Sequence, residues 1–171
     1  MAAGPEARAA IGGSRRVQLR TVDETHAWGA RLGALLRAGD LVVLTGGLGA
    51  GKTCLTQGIA QGLGVRGPVT SPTFVIARVH PSLVGGPDLV HVDAYRLGGL
   101  AELDDLDLDA SLEEAVTVVE WGRGVAEQLS DDYLEVTLTG YDSRVVDLAG
   151  HGARWTGQDC GALRDDLVWL P

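Results

Sequence analysis

The residues Gly46-Gly-Leu-Gly-Ala-Gly51-Lys52-Thr53 constrain this chain more than any other feature, because they match the pattern G-x-x-x-x-G-K-[S/T] in the context that pattern needs. Leu41–Thr45 is a continuous apolar run of the kind buried in a parallel sheet, and the stretch from Lys52 to about Leu63 reads as a helix. Between them the glycines let the backbone wrap tightly, so that successive N–H groups point inward as an anion nest. The helix N-terminus adds its partial positive charge. A loop of this kind takes a triphosphate tail. Gly46, Gly47, Leu48, Gly49, Ala50 and Gly51 are expected to cradle it, with Lys52 reaching the β- and γ-phosphates and the Thr53 hydroxyl on Mg²⁺. The expected cofactors are ATP or ADP and Mg²⁺. Cys54, just inside the helix, reads as a small buried residue beside that site rather than a reactive thiol.

Composition sharpens the reading of Lys52. The 14 basic residues comprise 13 Arg and this one Lys, and the chain has no Asn. Arg replaces Lys on a solvated surface at little cost, but not where a compact ammonium must reach phosphates on a flexible stem. The formal charge of −9 argues against a chain that grips nucleic acid unaided, since such proteins present a basic face to displace counterions. If RNA is involved, another subunit is expected to hold it. No apolar run approaches the roughly 18–20 residues of a membrane span, so no membrane association and a cytoplasmic location are expected. Two cysteines are too few for a disulfide scaffold or a metal cluster.

The chain is long enough for one domain, expected over residues 14–150. Residues 1–13, Ala/Gly-rich and without a hydrophobic signal-peptide core, are expected to be a disordered tail, and residues 151–171 show no pattern. Arg16–Thr21 alternates like a strand, Thr21-Val-Asp-Glu24 has capping-box spacing, and Glu24–Ala38 follows as a helix. After the loop and its helix come a proline-broken loop (Gly67–Thr73), a strand (Phe74–His80) and a hairpin-type connection (Pro81–Pro87). Leu89–Val92 and Ala115–Val119 are short apolar strands flanking an acidic, leucine-containing stretch of one or two short helices (Leu100–Glu114). Val125–Leu129 is a short helix, and Tyr133–Thr139 with Arg144–Leu148 make a hairpin. This order predicts an α/β fold, a three-layer sandwich of the P-loop NTPase type with a mixed, partly parallel sheet and a C-terminal antiparallel hairpin.

Two acids end apolar strands, Asp93 after Leu89–Val92 and Glu120 after Ala115–Val119. A phosphate-binding loop needs such a carboxylate on its metal side. One is expected to hold Mg²⁺ and the other to position the attacking water, with Lys52 completing the catalytic set. Thr73, in Ser71-Pro-Thr-Phe74, stands where a nucleotide-sensing segment would lie. His91 reads as a strand packing residue rather than a base, and the acids of 104–109 as a solvated face. The Asn/Thr-Lys-x-Asp element of guanine recognition is absent, so ATP is expected over GTP.

The loop together with Ser71-Pro-Thr-Phe74, His91-Val-Asp-Ala-Tyr-Arg-Leu97 and Val118-Val-Glu-Trp121 resembles the bacterial TsaE family, also called YjeE, over about residues 20–150. That family is the small ATPase of the machinery that makes threonylcarbamoyladenosine on tRNA. The resemblance implies an ATPase acting on a complex of TsaD and TsaB, with tRNA reached only through that complex. It implies that Thr53 and Glu120 coordinate Mg²⁺, that Asp93 supports hydrolysis, and that Trp121 lies near the nucleotide. Glu24-Thr25 and Arg144 look like family residues of the base side. Gly47 departs from the family pattern, which carries Asp there. Two other functions share the loop. A small-molecule kinase usually adds an arginine-bearing lid, and no such segment is evident; a binding module would hold ATP without splitting it.

Overall fold

In the computed structural model, which describes residues 15–72, 77–95 and 109–156, strand β1 (Arg15–Leu19) gives way to helix α1 (Val22–Leu35) at Thr21. The Thr21 hydroxyl accepts from the Glu24 N–H at 3.1 Å, and Glu24 reaches back to the N–H of Arg20. The capping box is built, with its return bond displaced by one residue. The helix ends at Leu35 rather than at Ala38. Leu36 turns extended, its N–H returning to Gly33 and Leu32, and the Asp40 carboxylate takes the Arg37 N–H at 2.9 Å. A short acid bonding a backbone N–H offers the chain an alternative to another helical turn.

The remaining elements are β2 (Leu41–Gly46), α2 (Lys52–Leu63), β3 (Ala77–His80), β4 (Leu89–Asp93), α3 (Asp109–Leu112) and β5 (Val116–Glu120). A 3₁₀ turn (Ala126–Gln128), β6 (Tyr133–Thr139), β7 (Arg144–His151) and α4 (Ala153–Thr156) follow. The strands form one sheet in the order β1-β7-β6-β2-β5-β4-β3. Its centre, β6-β2-β5-β4, is parallel, while β7, β1 and β3 pair antiparallel on the flanks. This is the α/β mixed-sheet fold that the order of patterns predicts, hairpin included.

Alternation along β2 divides the core. Val42 and Leu44 face α1 and α2, packing with Trp28, Leu32, Leu55 and Ile59. Leu41 and Val43 face the other way, into a smaller cluster with Val90, Val92, Val119 and Ala126, closed by Leu112 and Leu129. The first layer is held by an unusually close approach of its two helices. A Cβ on Gly33 would lie 2.2 Å from the Ile59 carbonyl oxygen, and one on Gly62 would lie 2.0 Å from that of Ala30.

The sequence has no pattern after Gly150, yet β7 continues to His151 and α4 buries Trp155 to 1% exposure. Next to it Arg154 grips the buried Asp40 with two bonds of 3.0 Å each. The fork of the guanidinium matches both carboxylate oxygens, which is what makes burying that acid tolerable. The expected tail at 1–13, the strand start at 74–76, the acidic stretch at 100–108 and residues 157–171 lie outside the described residues.

The helix seam yields a prediction that opposes intrinsic propensity. In an open helix Gly→Ala stabilises by about 1 kcal/mol. Gly62→Ala is expected instead to destabilise by about 1–3 kcal/mol, because the new methyl meets backbone that has no rotamer to yield. Urea denaturation of the variant against the wild type measures this, and a gain in stability would show that the helices are farther apart.

Candidate functional site

β2 ends at Gly46 and α2 begins at Lys52, so the glycine loop crosses the carboxyl edge of the parallel strands. Gly51 takes a left-handed conformation, φ 104°, and no side chain caps the first N–H groups of α2. Orphan donors at a helix start are the anion-binding element the motif requires. A Cβ on Gly51 would lie 2.5 Å from Arg144 Nε, so that side chain would have to shift to admit one. Arg144 in turn donates to the Ala50 carbonyl at 3.1 Å, so β7 props the loop from outside.

The cleft over the loop has a volume of about 340 Å³. Leu48, Gly49, Gly51, Lys52, Thr53 and Cys54 line it from the loop and α2. Ser71, Pro72, Asp93, Tyr95, Glu120 and Trp121 line it from the facing loops and strand ends. The structure thus brings together most of the residues singled out from sequence. Gly46, Gly47 and Ala50 belong to the loop without lining the cleft. Thr73 lies outside the described residues. Glu24 and Thr25 are not brought in: Glu24 caps α1, and the fully buried Thr25 bonds the Thr21 carbonyl at 3.0 Å. Arg144 stands behind the loop rather than in the cleft.

Lys52 is 5% exposed, and its ammonium donates to the carbonyls of Gly46 and Gly47 at 2.8 Å each. The ring of Trp121 covers it, 3.8 Å from Nζ to centroid, with Tyr95 tilted against that ring at 4.9 Å. Trp121 itself sits at φ 60°, the one positive-φ residue other than glycine among the described residues. Such a conformation costs on the order of 1–2 kcal/mol and concentrates at functional sites. Its N–H bonds the Leu44 carbonyl at 3.1 Å, which holds it there. Burial pushes the Lys52 pKa below the ordinary 10.5, and the charges of Glu120 and Asp93 oppose that shift.

The two strand-end acids differ in their surroundings. Glu120 is 2% exposed. It accepts from Thr53 at 3.3 Å on both oxygens, from Thr56 at 3.4 Å and from His91 at 2.7 Å. Asp93 is half-buried and held by Ser71 at 3.3 Å and the Tyr95 N–H at 3.0 Å. Cys54 is half-buried with its thiol 3.9 Å from the Val22 carbonyl, and burial raises its pKa, which disfavours the thiolate.

Thr56, Ser71, Pro72 and Tyr95 are at the site without having been expected there from sequence, and His91, read as a packing residue, also reaches it. His91 is buried, as a strand packing residue should be, but it also carries a hydrogen bond to Glu120. A signal existed for Thr56 and His91. Thr53 and Thr56 are three apart on one helix face, and His91 and Asp93 are two apart on one strand face.

A glycine loop between a buried parallel strand and a helix, with acids at the tips of the next two strands of the sheet, β5 and β4, defines an α/β protein of the P-loop class. Within that class the chain belongs to the TsaE family. The family model described as threonylcarbamoyl adenosine biosynthesis protein TsaE matches residues 19–146. A tRNA threonylcarbamoyladenosine biosynthesis protein TsaE from Streptomyces coelicolor is 60% identical over 142 residues, which span 79% of this chain and 96% of the relative. The protein of that name from Mycobacterium tuberculosis is 55% identical over 78% of this chain and 84% of its own. The crystal structure of Bacillus subtilis YdiB superposes with a TM-score of 0.69 at 30% identity, covering 90% of this chain and 97% of that one.

The shared environment of Lys52 and the acids gives a measurable consequence. Replacing Glu120 by Gln or Asp93 by Asn removes a charge that favours the ammonium, so each is expected to lower the Lys52 pKa further. Because the chain has one lysine, a single ¹³C-labelled lysine signal reports it by NMR titration. An unchanged or raised value in both variants would mean that the carboxylates do not face the ammonium.

Proposed function

We propose that this protein is a Mg²⁺-dependent ATPase whose turnover drives or regulates a TsaD–TsaB complex in forming N6-threonylcarbamoyladenosine on tRNA. The observation that carries the proposal is the Thr53 hydroxyl 3.3 Å from both oxygens of a buried Glu120, directly after Lys52 at the start of α2. A hydroxyl and a carboxylate are hard oxygen donors of the kind Mg²⁺ takes, and the uncapped N–H groups above them suit phosphate. The residues present therefore fit Mg·ATP. When bound, the nucleotide supplies the phosphoryl group and the metal the charge that neutralises it.

The chain's own groups have distinct tasks in this reading. The loop N–H groups and Lys52 hold phosphate oxygens, and Thr53 and Glu120 hold the metal. Asp93 orients a water. Trp121 and Tyr95 form an aromatic wall that limits solvent beside Lys52. The net charge of −9 favours action through partner proteins over direct tRNA binding. No helix among the described residues is long and apolar enough to cross a membrane.

Lys52→Ala is expected to weaken nucleotide binding by about 2–4 kcal/mol, roughly 30- to 1,000-fold in Kd. Glu120→Ala and Asp93→Ala are expected to reduce phosphate release more than binding. Calorimetry with a non-hydrolysable ATP analogue, together with phosphate release measured in the presence of TsaD–TsaB, separates the two effects. Equal turnover in the wild type and both acid variants would refute the assignment of the carboxylates. Recovery of TsaD and TsaB from native lysate on the immobilised chain, dependent on nucleotide, tests the partner assignment, and capture of neither refutes it.

A further inference from the structure

His91 is fully buried in the interior of β4, where an apolar side chain would pack without polar cost. Its one hydrogen bond among the described residues runs from Nε2 to Glu120 Oε1 at 2.7 Å, and its Nδ1 has no partner there. A carboxylate only accepts, so Nε2 carries the proton and donates it. A buried imidazole with one nitrogen left unpartnered is costly for packing alone; the bond to Glu120 is what it supplies.

That bond is unevenly placed on the carboxylate. Oε1 takes the His91 bond, the Thr56 hydroxyl at 3.4 Å and the Thr53 hydroxyl at 3.3 Å. Oε2 is shared with Thr53 alone, at 3.3 Å. Oε1 is anchored from the strand and helix interior, and Oε2 is left with the Thr53 hydroxyl as its one partner among the described residues. The β4–β5 register, with His91 opposite Val118 and Asp93 opposite Glu120, keeps the ring on the face toward which Glu120 points.

We propose that His91 is a positioning residue that anchors Glu120 through Oε1, so that Oε2 and the Thr53 hydroxyl face Mg²⁺ as a preset pair. This rests on the reading in which Thr53 and Glu120 hold the metal. Partners of this kind orient metal ligands, and losing one lowers metal affinity by about 10- to 100-fold.

The test is calorimetric titration of the full chain with ADP, in EDTA and across a range of Mg²⁺ concentrations. His91→Leu is expected to leave metal-free ADP affinity within about 2-fold of wild type and to raise the Mg²⁺ requirement by about 10- to 100-fold. His91→Gln places an amide donor within reach of Oε1 and is expected to recover the wild-type requirement to within about 3-fold. A wild-type Mg²⁺ requirement in His91→Leu overturns the proposal. So does an equal loss in the Leu and Gln variants that extends to metal-free ADP, which is the mark of a merely structural role. Should the Leu variant fail to fold, His91→Asn replaces it. Its amide is one methylene short, so it must lose the metal while Gln keeps it, and equal behaviour of the two overturns the proposal. ADP binding by the wild type that is indifferent to Mg²⁺ refutes the functional reading itself and the role of His91 with it.

Discussion

Parallel pairing of β2, β5 and β4 sets everything else at the site. The register places Leu44 beside Glu120 and Glu120 beside Asp93, so that the strand tips are level where the glycine loop leaves β2. Side chains alternate with a period of two, and a slip of one residue in β5 would turn Glu120 to the far face. The apolar residues enforce the register because both faces are covered. Val116 and Val118 pack into the helix-side cluster and Val119 into the opposite one. The glycine seam holds α2 close against α1, and both helices pack on the helix-side cluster of the sheet. Core packing and site geometry are one constraint here.

The cost of that arrangement is a buried cation beside two acids. Lys52 loses hydration, and its lowered pKa records the loss. It is compensated by two backbone carbonyls, a tryptophan face and the negative strand ends, none of which would hold it so well alone. The left-handed Trp121 belongs to the same bargain, since a residue directly after Glu120 in ordinary strand geometry would continue β5. The turn is sterically unfavourable for tryptophan, and the ring's contact with Lys52 accompanies it.

How much of this was legible in the sequence depends on how local its cause is. The loop could be read because every requirement lies within the contiguous residues Gly46–Thr53 and their flanks. The strand ends at Asp93 and Glu120 were legible because an acid after an apolar run is a local break in pattern. Helix α1 was overextended to Ala38 because Leu35 and Leu36 continue the apolar period; what stops it is an acid at 40 whose carboxylate bonds back to residue 37. That acid is buried only because Arg154, 114 positions later, reaches it, and nothing local to residues 151–156 announces the pair. His91 reads from sequence as packing alone for a related reason. A histidine among valines has the same alternation whether it packs or bonds, and its partner lies 29 residues away on another strand.

The two carboxylates, equivalent in sequence, are not equivalent in the fold. Glu120 is nearly inaccessible and is restrained by three side chains from β4 and α2, all parts of rigid elements. Asp93 is half-buried, and its two bonds come from loop residues, Ser71 after α2 and the Tyr95 backbone just past β4. A metal ligand needs fixed position, because coordination distances for Mg²⁺ tolerate little error. A group that orients water must instead follow the reacting centre as the loops around it adjust, and loops are where such movement is available. In the proposed reading, these environments suit Glu120 to the metal and Asp93 to the water.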